Sequence, residues 1–382
     1  MCPGLFTDSF SENSTDADGQ SGVNQVALNL CEPKSVAAEN RNQDFQALEL
    51  LNRFGHDAVC WQNLSPAVSR WFSAQGDAMV GYVIRGDYMI AAGMPIAAPH
   101  RIAGVCGEFC LFARKQGRIA CFLCAQGETG EAQIGSGYAG VCLGAQPVWN
   151  PQNWLARAPG FVGLRRQIRR AQAKGVDIHA VQPEAAAYSP EINDCLRAWL
   201  RGRWYGMTFL AEPRVLAQQL PGRVVMAVGM RGGRQVLAYG VASPVPARRG
   251  YHIEHIARRR GAPNGTTELL IHQLMLELAR RGGVYATLGL VALSRRCPDA
   301  WDKNPRWFKA AGDAALRFGQ SIYRFSALER FRSGLHPECW EPVYAISGER
   351  WFSPLTALAM VRSLFSLPST EPRVWPAASA DK

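Results

Sequence analysis

A chain of 382 residues with 47% hydrophobic and 19% charged side chains can form one large or two medium domains with proper cores, which excludes a wholly disordered or fibrous protein. No stretch reaches the roughly 18 to 20 apolar residues that span a bilayer, and the N-terminus lacks a basic-then-apolar leader, so the sequence reads as cytoplasmic. Its formal net charge of +11 points to an acidic partner: nucleic acid, anionic lipid headgroups or coenzyme A phosphates.

Residues 1–42 are rich in Ser, Asn, Asp and Gly and carry six acids against Lys34 and Arg41, the composition of a disordered acidic tail. Periodicity begins with a helix expected from Phe45 to Phe54. Strand patterns follow at 78–84 and 88–92, then a helix at 105–113 and a buried strand at 118–125. Cys106-x3-Cys110 and Cys121-x2-Cys124 have zinc-like spacing, but alternation along a strand sends Cys121 and Cys124 to opposite faces. Small buried hydrophobes and no metal are therefore expected. Eleven cysteines in a chain without an export signal read as reduced thiols. From Ala132 to Val176 there is no acid, whereas Arg157, Arg165, Arg166, Arg169, Arg170 and Lys174 fall there. The helical run 163–174 gathers its basic residues mostly on one face, either a solvated surface or a dock for an anion.

The second half repeats the order of the first. A helix at 190–201 precedes strands at 224–230, 236–241 and 252–256, a helix at 266–281 and a strand at 285–288. The chain thus divides into a tail (1–42), a first unit (43–155), a basic linker helix (156–180), a second unit (181–368) and a flexible end (369–382). Trp204, Tyr205, Met207 and Phe209 form an aromatic cluster that walls a pocket or fills a core. His252, His255 and His272 have no metal-ligand spacing and read as ordinary sheet or helix residues. The segment 351–365 is helical and apolar, broken by Arg362; it closes the core or lies in a membrane interface.

The densest motif is Glu254-His255-Ile256-Ala257-Arg258, followed by Ala262-Pro263-Asn264-Gly265-Thr266. An acid and an arginine four residues apart lead into a Pro-Asn-Gly turn that opens a helix. Asn264 and Gly265 shape the turn, since glycine permits backbone conformations closed to other residues. The free N–H groups and dipole of the helix start favour an anion there.

Together with Tyr285 to Ser294 (Tyr-Ala-Thr-Leu-Gly-Leu-Val-Ala-Leu-Ser), Tyr323-Arg324-Phe325 with Leu328, Phe331 and Arg332, and Trp340-Glu341-Pro342-Val343-Tyr344, this motif resembles one family. It is the C-terminal catalytic domain of phosphatidylglycerol lysyl/alanyltransferases, the aminoacyl-tRNA-dependent multiple peptide resistance factors. Upstream, Ile90 to Ile96 is similar to that family's first-half strand and turn, and Gly163 to Ala171 to its basic linker helix. Coverage runs over about residues 45 to 365.

The resemblance implies an α/β fold with mixed sheets: tandem acetyltransferase-like (GNAT) domains joined by the basic helix. It implies transfer of an aminoacyl group from tRNA to a lipid hydroxyl such as that of phosphatidylglycerol. No cofactor is expected beyond aminoacyl-tRNA as co-substrate, and the expected partners are that tRNA and an anionic membrane lipid surface, at the inner face of the cell membrane. Glu254 stands at the family's acidic position, as general base or as holder of the donor's α-ammonium group. Arg258 matches the motif arginine, although the family places it three residues after the acid rather than four. Arg332 falls where the family carries a cation, for phosphate or oxyanion contact. Asn264, Gly265, Thr287, Gly289, Ser294, Tyr323, Trp204 and Phe209 are the implied substrate-binding residues, with Thr287 to Ser294 lining an acceptor tunnel. Arg165, Arg166, Arg169, Arg170 and Lys174 are the implied tRNA contacts. The residues themselves leave plainer readings open: a Glu254–Arg258 ion pair and a surface Arg332.

Two other functions compete. One is an acetyl-CoA-dependent N-acyltransferase, because Arg258-Arg259-Arg260-Gly261-Ala262 begins a pyrophosphate-binding pattern. Pro263 interrupts it, having no N–H to give a phosphate. The other is a non-catalytic RNA- or membrane-binding module, carried by charge alone. The sequence leaves the oligomeric state open.

Overall fold

A computed structural model describes residues 34–201, 209–210, 222–318 and 325–364. Residues 1–43 and 44–382 are separate units, and the architecture below is that of the second. The expected tail at 1–42 lies largely outside the described residues, as does the end at 369–382. The first helix runs Lys34–Phe54, so it starts at Lys34 rather than at Phe45.

Among the described residues, twelve strands build one sheet: β1 Ser69–Phe72, β2 Met79–Arg85, β3 Tyr88–Ala92, β4 Ile119–Gln126, β5 Ala139–Trp149, β6 Val176–Val181, β7 Val224–Met230, β8 Val236–Val245, β9 Gly250–Arg258, β10 Tyr285–Thr287, β11 Val291–Ala292 and β12 Cys339–Ser347. Their order is β1-β2-β3-β4-β12-β5-β10-β9-β8-β7-β6, with β11 on β5. In each half an antiparallel run ends in a helical crossover to a parallel neighbour. Helix Ile102–Lys115 joins β3 to β4, and helix Thr266–Arg280 joins β9 to β10. This is the tandem acetyltransferase-like arrangement, with the basic helix Val162–Ala173 between the halves.

The two halves share the sheet. β5 pairs with β10, and β12 returns from the C-terminal side to lie between β4 and β5. Prolines conceal both strands in the sequence. Pro342 faces Ala145 of β5 where β12 has no β4 partner yet, since pairing with β4 begins at Val343. A residue without an N–H is tolerated on such a one-sided stretch.

Each crossover helix presents an apolar stripe to the sheet. Val105, Cys106, Phe109 and Ala113 are buried on one, and Leu270, Leu274 and Leu278 on the other. Truncating a fully buried leucine such as Leu270 removes both transfer energy and packing, costing about 2–5 kcal/mol. The expectation that Cys121 and Cys124 point to opposite faces is overturned. Cys124 adopts a left-handed φ of 66°, β4 slips register against β12 beside it, and both thiols join one apolar cluster. Burial pushes the Cys124 thiol up to about 12.

The basic helix lies against the second crossover helix through Leu164, Ile168 and Ala171. Gly265, at the start of that crossover helix, has φ +93°, and a Cβ there would lie 1.9 Å from the Gln167 carbonyl oxygen. Both the backbone and the space demand glycine. Gly265→Ala should therefore lower stability by about 3 kcal/mol or more, as strain and overpacking add, read as a fall in the denaturant midpoint.

Candidate functional site

Glu254 sits in a break of the β8–β9 ladder. Val241 faces His255 and Ala242 faces Ile253, which leaves Glu254 as the extra residue of a β-bulge. A bulge re-aims side chains and reverses the alternation beyond it. Accordingly Ile253 and Ile256 both pack under the Thr266–Arg280 helix, whereas Ala257 packs with Tyr239 on the other face. Glu254 and Arg258 are thus delivered to opposite faces, not together as their spacing implied. Arg258 donates to the carbonyls of Ala262 and Pro263 and holds the Pro-Asn-Gly turn.

Glu254 is clamped by groups from three other segments. Its Oε1 accepts from Arg223 Nη2 at 3.2 Å and from the Ser243 hydroxyl, and its Oε2 accepts from Gln62 Nε2 at 3.1 Å. Arg223 Nε donates to Ser243 Oγ at 2.9 Å, closing the clamp. The Glu254 side chain is 6% exposed and that of Arg223 4%. Burial by itself pushes the Glu254 carboxyl up; Arg223, His255, His252 and the Ser243 hydroxyl outweigh it, and the net shift is downward. Glu254 is therefore a fixed buried anion. Beside it, Arg223 Nη1 and His255 Nε2 are buried with no hydrogen-bond partner among the described residues. Unpartnered buried donors and acceptors are costly in an empty fold and are expected where a polar ligand completes them.

His252 borders the same cluster. Its Nδ1 lies 2.8 Å from the Ala58 carbonyl oxygen, which assigns the proton to Nδ1 and a lone pair to Nε2. Burial lowers its pKa, and Arg332 adds to that against the opposing pull of Glu254. At neutral pH it is an uncharged imidazole. Burial likewise drives His255 down to about 4. Nε2 of His252 faces Gly289, whose φ of +75° and missing side chain leave room for the ring, a Cβ there lying 2.7 Å from Nε2. Arg332 Nη1 donates to the Gly289 carbonyl at 2.5 Å.

Ala58 links this cluster to a second one across the centre of the sheet. Its N–H donates to Gln126 Oε1 at 3.0 Å. The fully buried Gln146 places Nε2 at 3.1 Å from Gln126 Oε1, Tyr285 Oη and Glu341 Oε2. Glu341 takes a two-pronged pair from Arg248, at 2.8 and 2.5 Å, and Arg248 lies 3.8 Å over the Tyr285 ring. Asp57, next to Ala58, is buried with its pKa raised by burial despite His56 and the backbone N–H of Met94.

The other expected site residues are dispersed. Thr287 is fully buried, with Oγ1 accepting from the Gly289 N–H at 3.0 Å. Ser294 is buried, and its hydroxyl accepts from Arg296 N within its own loop. Asn264 is exposed at the turn, and Gly265 lies under the Gln167 carbonyl. That carbonyl oxygen covers the helix start where an anion was expected. Phe209 packs in the apolar cluster that holds Ile90 and Phe352. Trp204 and Tyr323 lie outside the described residues. Arg165, Arg166, Arg169, Arg170 and Lys174 are all exposed on or just after the basic helix. Sequence reasoning missed Arg223, Ser243 and Gln62 and set His252 and His255 aside. A lone arginine opening the apolar run Val224–Met230 was the available signal. Cavities of about 260 Å³ beside Cys110 and Glu349 and of about 450 Å³ beside Arg53 and Arg101 contain no residue of this cluster.

The sequence model described as phosphatidylglycerol lysyltransferase, C-terminal, matches residues 48–347. The lysylphosphatidylglycerol biosynthesis bifunctional protein LysX of Gordonia bronchialis is 21% identical over 300 residues, 76% of this chain and 26% of that protein. The chain thus spans about a quarter of the length of that curated relative. Two solved structures share the fold. The C-terminal domain of a putative lysylphosphatidylglycerol synthetase from Agrobacterium fabrum has TM-score 0.66 at 19% identity, over 84% of this chain and 96% of that one. L-PGS from Bacillus licheniformis has TM-score 0.66 at 19% identity, over 88% and 98%.

Proposed function

This chain belongs to the phosphatidylglycerol lysyltransferase C-terminal family, and from that premise we propose that it is a lipid aminoacyltransferase. It moves an amino acid from the ester of aminoacyl-tRNA to a hydroxyl of a lipid such as phosphatidylglycerol. The observation that carries the reading is the buried, ionised Glu254, beside which Arg223 Nη1 and His255 Nε2 have no hydrogen-bond partner among the described residues. An aminoacyl ester differs from other acyl donors in its α-ammonium group, and a fixed anion in a water-poor site is the complement of that charge.

The donor ester is already activated, so no covalent nucleophile is needed. The lipid hydroxyl oxygen attacks the ester carbonyl as its proton passes to His252 Nε2, the neutral base of the cluster. Arg223 Nη1 stabilises the oxyanion. Collapse breaks the bond to the ribose oxygen, which takes the proton back from His252, and a new ester remains on the lipid. Glu254, with its pKa lowered, suits charge recognition better than proton abstraction. Arg258 and Arg332 support the turn and the Gly289 loop that shape the site.

A coenzyme A reading fares worse. Pyrophosphate in that fold sits at the start of the crossover helix, where Pro263 has no N–H and the Gln167 carbonyl oxygen lies against Gly265. Purified protein given radiolabelled aminoacyl-tRNA and phosphatidylglycerol vesicles should yield a chloroform-soluble labelled product, abolished by prior RNase treatment. Robust turnover with acetyl-CoA and none with any charged tRNA would refute the proposal.

A further inference from the structure

No described helix is long and apolar enough to cross a membrane, yet the proposed acceptor lies in a bilayer. The helix Pro354–Leu364 offers a way to reach it. Its inner face is settled: Thr356, Ala359, Met360 and Ser363 are buried, and Ala359 and Met360 join the cluster that includes Phe352. This face closes the core. The outer face is also apolar. Leu355 is 68% exposed, Leu358 44% and Val361 50%, spaced three residues apart, and Trp351 just before the helix is 76% exposed. Helices that only close a core carry polar residues on the outside.

Within residues 350–364 the charge has one sign, and the exposed Glu349 lies just before that segment. Arg350 and Arg362 bracket the stripe, both exposed, and no acid occurs from Arg350 to Leu364. Apolar side chains with an interfacial tryptophan and flanking cations are complementary to an anionic bilayer surface: the apolar groups enter the headgroup boundary while the guanidinium groups meet lipid phosphates. We propose that the outer face of helix Pro354–Leu364, with Trp351, Arg350 and Arg362, docks the protein on an anionic lipid surface. The proposal rests on the lipid-transferase reading only for its purpose; the binding itself requires no donor and no chemistry.

Co-sedimentation with vesicles of roughly equal parts phosphatidylglycerol and phosphatidylcholine tests it, using the full chain and the Leu355→Glu/Leu358→Glu variant. Both positions are exposed, so folding is undisturbed. The double variant should lose vesicle partitioning by about ten-fold or more, and wild type should bind pure phosphatidylcholine far more weakly. Transfer to phosphatidylglycerol dispersed in detergent should be unchanged in the variant, while transfer to vesicles falls with binding. Equal vesicle binding by wild type and variant overturns the proposal. So does a wild-type dimer that the variant dissociates while neither binds vesicles, because the occupant is then a second copy. Loss of product from detergent-dispersed lipid by wild type itself is a separate result, which sinks the transferase reading and leaves the docking surface standing.

Discussion

Glu254→Gln should lower kcat/KM with aminoacyl-tRNA by about 100- to 10,000-fold, the usual cost of losing one positioned charged group at a reaction centre. The amide keeps the shape and part of the hydrogen bonding with Ser243 and Gln62 but removes the anion. A donor lacking the α-amino group makes the test specific. If Glu254 holds the ammonium, wild type discriminates strongly against an α-hydroxyacyl-tRNA and the variant does not. Its pH behaviour separates the two roles weighed for this residue. Because its folded pKa lies below the ordinary 4.5, Glu254 contributes no acidic limb to the rate above that value. The stability it provides is fully present above 4.5 and is lost as pH falls through the lower folded value. A purely structural role has a different signature. Removing one partner of the buried Arg223 pair costs about 3–5 kcal/mol, and the double variant Glu254→Gln/Arg223→Gln recovers part of it. A stable Glu254→Gln protein with unchanged turnover and unchanged donor discrimination would remove this residue from the mechanism.

What the sequence disclosed and what it hid divide along the range of the interactions. β3 and β7 begin and end at the expected residues, because apolar runs bounded by turn residues are local signals. The crossover helix from Thr266 and the basic helix were legible for the same reason. The site was half legible. Glu254 stands out by its place before the Pro-Asn-Gly turn, but of its partners only Ser243 comes from the neighbouring strand β8; Arg223 and Gln62 arrive from segments that no periodicity connects to it. The bulge at Glu254 adds one residue to a ladder, and that single residue sends Arg258 to the opposite face. The bulge at Cys124 defeats alternation in the same manner. The insertion of β12 between β4 and β5 is a topological event, and Pro342 conceals the strand that performs it. None of these features leaves a trace in residue spacing, because each depends on which strand lies alongside.

Neutralising Arg165, Arg166, Arg169 and Arg170 together as glutamines should weaken tRNA binding by about 100-fold or more at low salt and flatten its salt dependence. Each phosphate contact releases counterions worth a slope of roughly 0.7 to 0.9 in log affinity against log salt, so four lost contacts remove about three from the slope. The geometry of the helix makes the test clean. Leu164, Ile168 and Ala171 face the Thr266–Arg280 helix, and the Gln167 carbonyl abuts Gly265, so the packing side is occupied by other residues. The four arginines are exposed and, among the described residues, enter no ion pair within the chain, so no internal partner loses its counter-charge. Arg157 is the contrast: it pairs with Glu338 at 3.4 Å and lies over the Phe161 ring, so its substitution would mix structure with binding. The thermal midpoint of the quadruple variant should therefore stay within a few degrees of wild type, since surface changes away from caps and pairs usually cost less than about 0.5 kcal/mol each. The same variant separates tRNA from lipid as the partner of this basic surface. If the helix met lipid rather than tRNA, vesicle binding would fall and the tRNA salt slope would not move. An unchanged slope with tRNA would return these arginines to the role of a solvated face.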